Sequence, residues 1–506
     1  MSTAEKTAWQ RTSPLSVVFF VGSIVKSIVQ NAVQAAAPIA AYAFASDGSV
    51  PANAAAAVSV GVIGVVAVAI LRFLFFRFCI QDASILIRDG IIKKTQLDIK
   101  FERIQAINTQ QNILFRPFGL VNVSFDTAGS SEQEGSLPAV PAALAETLKR
   151  RLAAHSGKAS ADPDTVQDPV TNETQRRLLN YTNGDLVRVG LTSNRAVILV
   201  AALAPFAERL FTAFAERVGG EDVSDAIDAA SSTGGVAVVG TAFLFVGVVA
   251  AVLVLASLAG AILRYYGFEL AADGKRFQSS GGLLTRHEHA IQYAKIQALY
   301  LVQNPVQRLF TVFKLSARQA ASDRQSDKKS FQIPLLEEDV LQDFTREAYA
   351  DEFEGADLNP ARRDYHPVAS HYLCSRTMLY AVLPAILSAA LLATLSFMLA
   401  GLALLWAPAA HLYFRRRYRV MGVRLDRDGL TYRRGLIGYR VVALLYRKVQ
   451  RATVRQTPFQ RRRGTAVLSL YLASGRVRIP YLRLEDAERL RDYILYKVES
   501  DRRAWH

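Results

Sequence analysis

The sequence predicts an α+β membrane protein with six transmembrane helices in three hairpins, each hairpin followed by a small β-barrel or β-sandwich that ends in a helix. Three observations lead to this prediction. Apolar residues make up 51% of the 506 positions and gather in blocks long enough to cross a bilayer. Charged segments with β-type alternation follow the blocks. A spaced motif recurs in each of those segments, which indicates that one unit, here called a repeat, occurs three times.

The apolar blocks have the length that a membrane helix requires, because a hydrocarbon core of roughly 30 Å takes about 20 helical residues. Residues 58–76 contain one charge, Arg72, and residues 236–263 contain none. Residues 377–414 form an uncharged block of 38 residues. This block is too long for one span, so it predicts two short spans with a turn at residues 396–401.

Two less apolar segments complete the three hairpins. Residues 15–44 contain Lys26, and residues 186–210 contain Arg195. A secretory signal peptide is the alternative for the first segment, since Ala43-Phe44-Ala45 resembles a cleavage site. The apolar run is longer than the core of such a signal, and this length favours a membrane helix.

Lysine and arginine at the helix ends predict the orientation, because these residues accumulate on the cytoplasmic side. Arg72 follows the second predicted span, Arg264 follows the fourth, and a run of arginines begins at Arg415 after the sixth. The opposite loop at residues 46–57 contains no lysine or arginine. The β-rich domains and both termini are therefore expected on the cytoplasmic side.

The repeat is defined by four residues at constant spacing. A glycine is followed after 15 residues by a glutamine, after 6 more by a second glutamine, and after 5 more by an arginine. A basic residue stands two positions before the first glutamine. The sets are Gly90, Arg103, Gln105, Gln111 and Arg116; Gly282, Lys295, Gln297, Gln303 and Arg308; and Gly435, Lys448, Gln450, Gln456 and Arg461. Three gapless matches, each after a hydrophobic hairpin, indicate a triplication.

These patterns divide the chain into eight segments. Hairpins are predicted at residues 15–76, 184–264 and 371–414, and the β-rich domains at 77–155, 265–350 and 415–506. The polar stretches 156–183 and 351–370 are predicted as flexible linkers. Helices at 142–152, 335–348 and 485–498 are expected to close the three domains.

The first copy continues as Arg116-Pro117-Phe118-Gly119-Leu120-Val121, and this run resembles the bacterial pleckstrin-homology-like membrane domain family, formerly a domain of unknown function. The second and third copies depart from it, with Arg308-Leu309-Phe310-Thr311 and Arg461-Arg462-Arg463-Gly464. The resemblance covers nearly the whole chain. It implies a pleckstrin-homology (PH) fold on the cytoplasmic face of a bacterial plasma membrane, and no established activity. It also implies a role in envelope stress or tolerance to membrane-active peptides.

The sequence predicts neither catalysis nor a cofactor. It lacks a phosphate-binding GxxxxGK[ST] loop, an HExxH zinc motif and a GxSxG nucleophile elbow. Its two cysteines stand far apart and exclude a disulfide framework. His287 and His289 would share one face of a strand, which leaves a metal pair as the alternative to a solvated strand edge.

Basic residues concentrate in the third domain. Residues 415–506 contain 24 lysines and arginines and 8 acidic residues, a difference that equals the net charge of +16 of the whole chain. Next to a membrane helix, this excess favours anionic lipid headgroups over nucleic acid, for which interleaved aromatic residues are missing. A solvated basic face is the alternative. The candidate binding residues are Arg415, Arg416, Arg417, Arg433, Arg434, Lys448, Arg461, Arg462 and Arg463.

For the repeated motif residues, a structural role in each barrel is favoured over a shared binding site. The function expected from the whole pattern is a non-enzymatic scaffold that binds lipid or a protein partner. A shorter PH-like membrane protein with a single repeat is the first candidate partner. The alternative is a transporter of lipid or peptide through the helical bundle, with Lys26 and Arg195 as intramembrane charges that lack visible acidic partners.

Overall fold

The computed structural model describes residues 9–24, 53–81, 83–90, 94–127, 135–158, 176–193, 235–319, 331–349, 353, 356–361, 364–394 and 396–501. The chain divides into two compact units. The first consists of Met1–Thr174 with Leu284–Ala290, and the second of Gln175–Leu283 with Ile291–His506.

Each repeat has six strands after its predicted hairpin. Those of the first are β1 Arg77–Ile80, β2 Ser84–Asp89, β3 Thr95–Lys100, β4 Ile104–Asn112, β5 Leu120–Thr127 and β6 Ser136–Pro141. The second has β8 Glu269–Ala272, β9 Arg276–Gly281, β10 Thr285–Gln292, β11 Ile296–Gln303, β12 Phe313–Gln319 and β13 Phe331–Leu336. The third has β15 Gly422–Leu425, β16 Gly429–Gly435, β17 Tyr439–Leu445, β18 Val449–Arg455, β19 Thr465–Leu472 and β20 Gly475–Arg483.

A further pairing comes from the chain that precedes each predicted hairpin. Strand β7, Arg176–Asn180, pairs with β8, and the two-residue strand β14, His366–Pro367, pairs with β15. In the first repeat, Gln10 forms an isolated bridge to Phe78 of β1. Each domain therefore begins before its hairpin. The linkers predicted at residues 156–183 and 351–370 were wrong in this respect, because each contains a strand whose partner lies a whole hairpin further along the chain.

A helix follows the last strand of each repeat, as the sequence predicts. The three are Ala142–Lys158, Glu338–Tyr349 and Leu484–Ser500. In the last of them Ala487, Leu490 and Ile494 are buried, at the 3–4 residue spacing of one helical face. The apolar face covers the core of the third domain, while the charged residues between these positions remain in water.

Three described helices are long and apolar enough to cross a membrane: Leu244–Tyr265, His371–Ala393 and Phe397–Val420. The last two cover the uncharged block at residues 377–414, where the sequence predicts two spans. The turn predicted at residues 396–401 was wrong in its position, because residues 397–401 are helical and the break between the helices lies at residues 394–396. That both helices cross the membrane as a hairpin stays a prediction. Leu391 and Phe397 are 72% and 87% exposed, as expected of side chains that face lipid.

The rest of the six-span prediction stays a prediction. Helix Asn53–Phe75 includes a shorter apolar stretch, Ile63–Phe75. Residues 25–52 and 194–234, which hold Lys26, Arg195 and most of two predicted spans, lie outside the described residues.

Within the second unit, one sheet continues from the second repeat into the third. Its order is β13-β12-β11-β17-β16-β15-β14. Strands β11 and β17 meet antiparallel over six residue pairs, from Ala298 opposite Leu444 to Gln303 opposite Tyr439. We call this contact the β11–β17 joint.

The β11–β17 joint merges the cores of the two repeats. Val441, Ala443 and Leu445 of β17 lie in the hydrophobic cluster of the second repeat. Conversely, Ala298 of β11 lies in the cluster of the third repeat, and Tyr300 packs against that cluster. Because side chains alternate between the two faces of a strand, each strand of the joint contributes to both cores.

The first unit contains the corresponding joint. Residues 109–112 of β4 pair antiparallel with residues 285–288 of β10. Gln111 lies opposite Arg286 here, and its counterpart Gln303 lies opposite Tyr439 in the β11–β17 joint. Arg286 and Tyr439 occupy the same position of the repeat, four residues after Gly282 and Gly435. The two joints therefore have identical register.

Gly438 is tightly enclosed at the end of the β11–β17 joint, so replacing it tests the joint. A Cβ atom at this position would overlap the carbonyl oxygen of Gln303. We expect Gly438→Ala to lower the free energy of unfolding by roughly 1–3 kcal/mol, because the strands must separate to admit the methyl group. The measurement is the thermal unfolding midpoint of the chain in detergent. The control is Gly401→Ala, where no heavy atom lies within 4 Å of the added Cβ. Equal midpoints for both variants would contradict this packing.

Candidate functional site

The candidate site is a basic cavity at the end of the last membrane span. Its volume is about 430 Å³. The described residues that line it are Arg308, Leu412, Arg415, Arg416, Arg419, Val420, Leu436 and Tyr439. Four of the eight are arginine, and none is acidic.

The last helix brings three of the arginines to the cavity. Helix Trp406–Val420 continues the apolar span into the basic run without a break. Arg415 and Arg419 are four residues apart and therefore neighbours on the helix surface. Arg416 follows Leu412 by the same spacing, so the apolar and basic parts of the lining are adjacent.

Arg308 comes from the second repeat. It lies at the end of the short helix Pro305–Leu309, which begins with a capping box between Asn304 and Gln307. Its Nη1 donates a hydrogen bond of 3.0 Å to the carbonyl of Ile437. Its guanidinium carbon is 5.1 Å from the ring centre of Tyr439. The β11–β17 joint thus places Arg308 beside the arginines of the third repeat.

Among the described residues, no acidic side chain pairs with the arginines of this cavity. Within the described ranges, Arg415, Arg416 and Arg419 have no hydrogen bond or ion pair. In the first repeat, by contrast, Arg72 at the end of its helix forms an ion pair of 2.5 Å with Asp89. Like charges close together favour an anionic ligand, and Arg forms bidentate contacts with phosphate or carboxylate.

Two of the predicted binding residues instead donate hydrogen bonds to backbone carbonyl groups. Lys448 is 2% exposed, and its Nζ donates a hydrogen bond of 2.5 Å to the carbonyl of Ala294 in the second repeat. Arg433 donates to the carbonyls of Val420 and Pro360, at 2.9 and 2.5 Å. The structure places neither residue in the lining of the cavity.

Arg417 and Arg434 lie near a buried tyrosine. Burial raises the pKa of Tyr432 to about 12, although the charges of Arg434 and Arg417 act in the opposite direction. Arg434 itself is exposed, and in the sheet it lies opposite Arg440. Neither residue lines the basic cavity.

Arg461, Arg462 and Arg463 are exposed at the turn before β19. Arg463 and Arg483 line a second cavity of about 710 Å³, together with His371, Cys374 and residues of the fifth predicted span. The nine predicted binding residues therefore do not form one site. Arg415 and Arg416 lie in the basic cavity, and Arg463 lies in the second one.

The second glutamine of the motif has one role in all three repeats. Its Nε2 donates a hydrogen bond to the carbonyl nine residues further on. The pairs are Gln111 with Leu120 at 3.3 Å, Gln303 with Val312 at 3.3 Å, and Gln456 with Thr465 at 2.8 Å. The bond closes the turn between consecutive strands, so this glutamine is structural.

The other motif positions vary between repeats. The first glutamine is buried as Gln297 and exposed as Gln450, while the side chain of Gln105 is outside the described atoms. Arg103 and Arg116 are exposed, and Lys295 is half-buried. Of the repeated basic residues, the basic cavity includes Arg308.

The histidine pair is stacked on β10. The ring centres of His287 and His289 are 6.1 Å apart. Among the described residues, no group of three or more histidine, cysteine or acidic side chains could hold a metal ion. Glu288 points to the neighbouring strand, where it accepts a hydrogen bond of 2.9 Å from Thr109.

Sequence reasoning left Arg419 and Arg483 out of the candidate binding residues and did not group Arg308 with Arg415 and Arg416. The spacing of Arg415 and Arg419 on one helical face was a usable signal. The sequence contains no comparable signal for the position of Arg308, because that position depends on pairing between strands more than a hundred residues apart.

Comparison with known proteins supports the triplication. A family model described as "Bacterial PH domain" matches the chain three times, over residues 20–156, 234–352 and 379–498. The UPF0699 transmembrane protein YdbT of Bacillus subtilis (strain 168) is 25% identical over 301 residues, which are 56% of this chain. The match covers 59% of that relative, so the chain spans less than two thirds of its length.

The structural role of the second glutamine is testable with an isosteric change. Gln456→Glu removes the N–H donor and places a carboxylate beside the Thr465 carbonyl. We expect a loss of roughly 1–3 kcal/mol in the free energy of unfolding, because a buried acceptor loses its partner. Gln450→Glu adds the same charge at an exposed position and serves as the control. Thermal unfolding in detergent measures both, and equal stability of the two variants would refute the role.

Proposed function

Because the chain belongs to the bacterial PH domain family, we propose that it is a non-enzymatic scaffold of the bacterial plasma membrane whose basic cavity binds an anionic lipid headgroup. The PH-like domains and both termini stand on the cytoplasmic side in this proposal. The observation that carries it is the cluster of Arg308, Arg415, Arg416 and Arg419 at the end of a candidate membrane helix, with no acidic partner among the residues that the structure describes.

The position of the cavity suits a lipid because it combines charge with apolar surface. Leu412, Val420 and Leu436 line it beside the arginines. A headgroup phosphate would contact the guanidinium groups, while the adjoining part of the lipid would meet the apolar side chains. Each arginine near an anionic leaflet contributes about 1 kcal/mol, an attraction that falls off within about 8 Å at physiological salt.

Binding would orient the third domain rather than recruit it, because the span already tethers it to the bilayer. A bound headgroup would also link the second and third repeats, since Arg308 comes from one and Arg415 from the other. In this proposal, the lipid composition of the membrane sets the stability of the β11–β17 joint. Such a change in stability is a binding effect and involves no chemical reaction.

The cavity lining supports a non-enzymatic role. Arginine remains protonated at physiological pH and cannot act as a general base. Tyr439 is the remaining polar side chain of the lining, and its ring faces Arg308. A role in envelope stress or tolerance to membrane-active peptides, and a shorter single-repeat PH-like partner, remain parts of the proposal that rest on the family resemblance.

Removing the free charges should weaken lipid binding. We expect the Arg415→Gln, Arg416→Gln, Arg419→Gln triple variant to bind phosphatidylglycerol about a hundredfold more weakly, since it loses roughly 3 kcal/mol. The full chain is needed, because Val441, Ala443 and Leu445 would lose the core of the second repeat in an isolated third domain. Titration of short-chain lipid against the detergent-purified chain, followed by native mass spectrometry, measures the affinity.

The matched control removes the same charge elsewhere, with Arg461→Gln, Arg462→Gln and Arg478→Gln at exposed positions outside the basic cavity. The parent and this control should both lose affinity as salt rises and should bind phosphatidylcholine poorly. An equal loss of phosphatidylglycerol affinity in both triple variants would contradict binding at the basic cavity. Flux of a lipid or peptide across liposomes that contain the purified chain would favour the transporter instead.

A further inference from the structure

Two of the eight end strands in the described sheets are special, because their counterparts in the other repeats pair with each other. Strand β3 ends the sheet β1-β2-β3, and strand β18 ends the sheet β18-β19-β20. Exposed edges of this kind present unpaired N–H and C=O groups and readily accept another strand. In the repeat, β3 corresponds to β10 and β17, whereas β18 corresponds to β4 and β11. These two edges are thus the two halves of the same joint.

The existing joints specify the register in which these halves fit. The second glutamine lies opposite the residue four positions after the motif glycine, as Gln111 with Arg286 and Gln303 with Tyr439. The same rule aligns Gln456 with Lys94. It also aligns Arg455 with Thr95, and Val454 with Gln96.

We propose that β18 of one chain pairs antiparallel with β3 of a second copy in this register, so that the protein associates head to tail in the membrane. Among the described strands, the three repeats supply two joints, and β3 and β18 are the halves that remain. Complementary but different edges make a heterologous contact, which adds copies in one direction. The occupant of the β18 edge is therefore the strand that has the sequence and position of β17 in the preceding joint.

The side chains of β3 are polar, as expected of a strand edge that is exposed to water until it pairs. Where β17 has Val441, Ala443 and Leu445, β3 has Gln96, Asp98 and Lys100, all exposed. Charged residues of this kind prevent indiscriminate edge pairing. Arg451 and Arg455 have the same effect on β18, where both are exposed. The resulting contact is weaker and more reversible than the apolar β11–β17 joint.

A polar joint of the same register already exists in the first unit. There Glu288 of β10 accepts a hydrogen bond of 2.9 Å from Thr109 of β4 and forms an ion pair of 2.8 Å with Lys149. Burial alone would raise the pKa of Glu288. The hydrogen bonds from Lys149 and Thr109, together with the positive charge of Lys149, outweigh burial and lower this pKa. The pair therefore stays ionised at neutral pH, and polar side chains at these positions are compatible with pairing.

Cysteine cross-linking between differently tagged chains tests the register and the source of the strand together. In a Cys374→Ser background, one chain carries Val454→Cys and the other carries Gln96→Cys. The remaining Cys79 is buried. Mild oxidation of membranes that contain both chains should give a covalent heterodimer carrying both tags. Arg455→Cys with Thr95→Cys provides a second pair, because adjacent pairs alternate between closer and wider Cα separations in antiparallel strands.

The slip control replaces Gln96→Cys by Leu97→Cys, which places the thiol on the opposite face of the strand. This control should lose the heterodimer, and each cysteine chain alone should match the thermal midpoint of its parent. The absence of a heterodimer for both pairs would overturn the proposal, as would equal yields in the slip control. A chain with both Val454→Cys and Gln96→Cys that forms only an internal disulfide would also overturn it. These results do not depend on lipid binding.

Discussion

The β11–β17 joint is the interaction on which the rest of the described architecture depends. It satisfies the backbone groups of two strand edges that would otherwise be open, and it buries Val441, Ala443 and Leu445 in the core of the second repeat. Complete burial of a valine or leucine side chain contributes roughly 1.5–3 kcal/mol. The second and third repeats consequently share cores, and neither is a self-contained domain of the kind that the repeat boundaries alone suggest.

The basic cavity is a consequence of this pairing and of the membrane. Register aligns Gln303 with Tyr439, so the short helix after β11 carries Arg308 to the turn before β17. The last span supplies the remaining arginines, because Val420 is separated from the first residue of β15 by a single position. The cavity therefore lies where a bilayer-anchored helix, one sheet and the end of a second repeat meet.

Local sequence patterns predicted the individual helices and strands, but they did not predict which strands pair with each other. Hydropathy predicted two helices within residues 377–414, and helical spacing predicted the helix that includes Leu490 and Ile494. Constant spacing revealed the repeat and pointed to a structural second glutamine, which the three bonds to carbonyls nine residues on support. The strand Arg176–Asn180 was assigned to a linker, because its partner follows a whole hairpin later. Lys448 was assigned to an exposed basic face, because nothing local shows that the second repeat covers it.

Amide hydrogen exchange on the intact chain in detergent tests the joint most directly, since paired and buried amides exchange only when the structure opens. We expect peptides that cover residues 296–303 and 439–445 to exchange slowly and to lose protection together as denaturant is raised. Rapid exchange of either peptide while the strands β12 and β16 remain protected would show that the two repeats do not share a sheet.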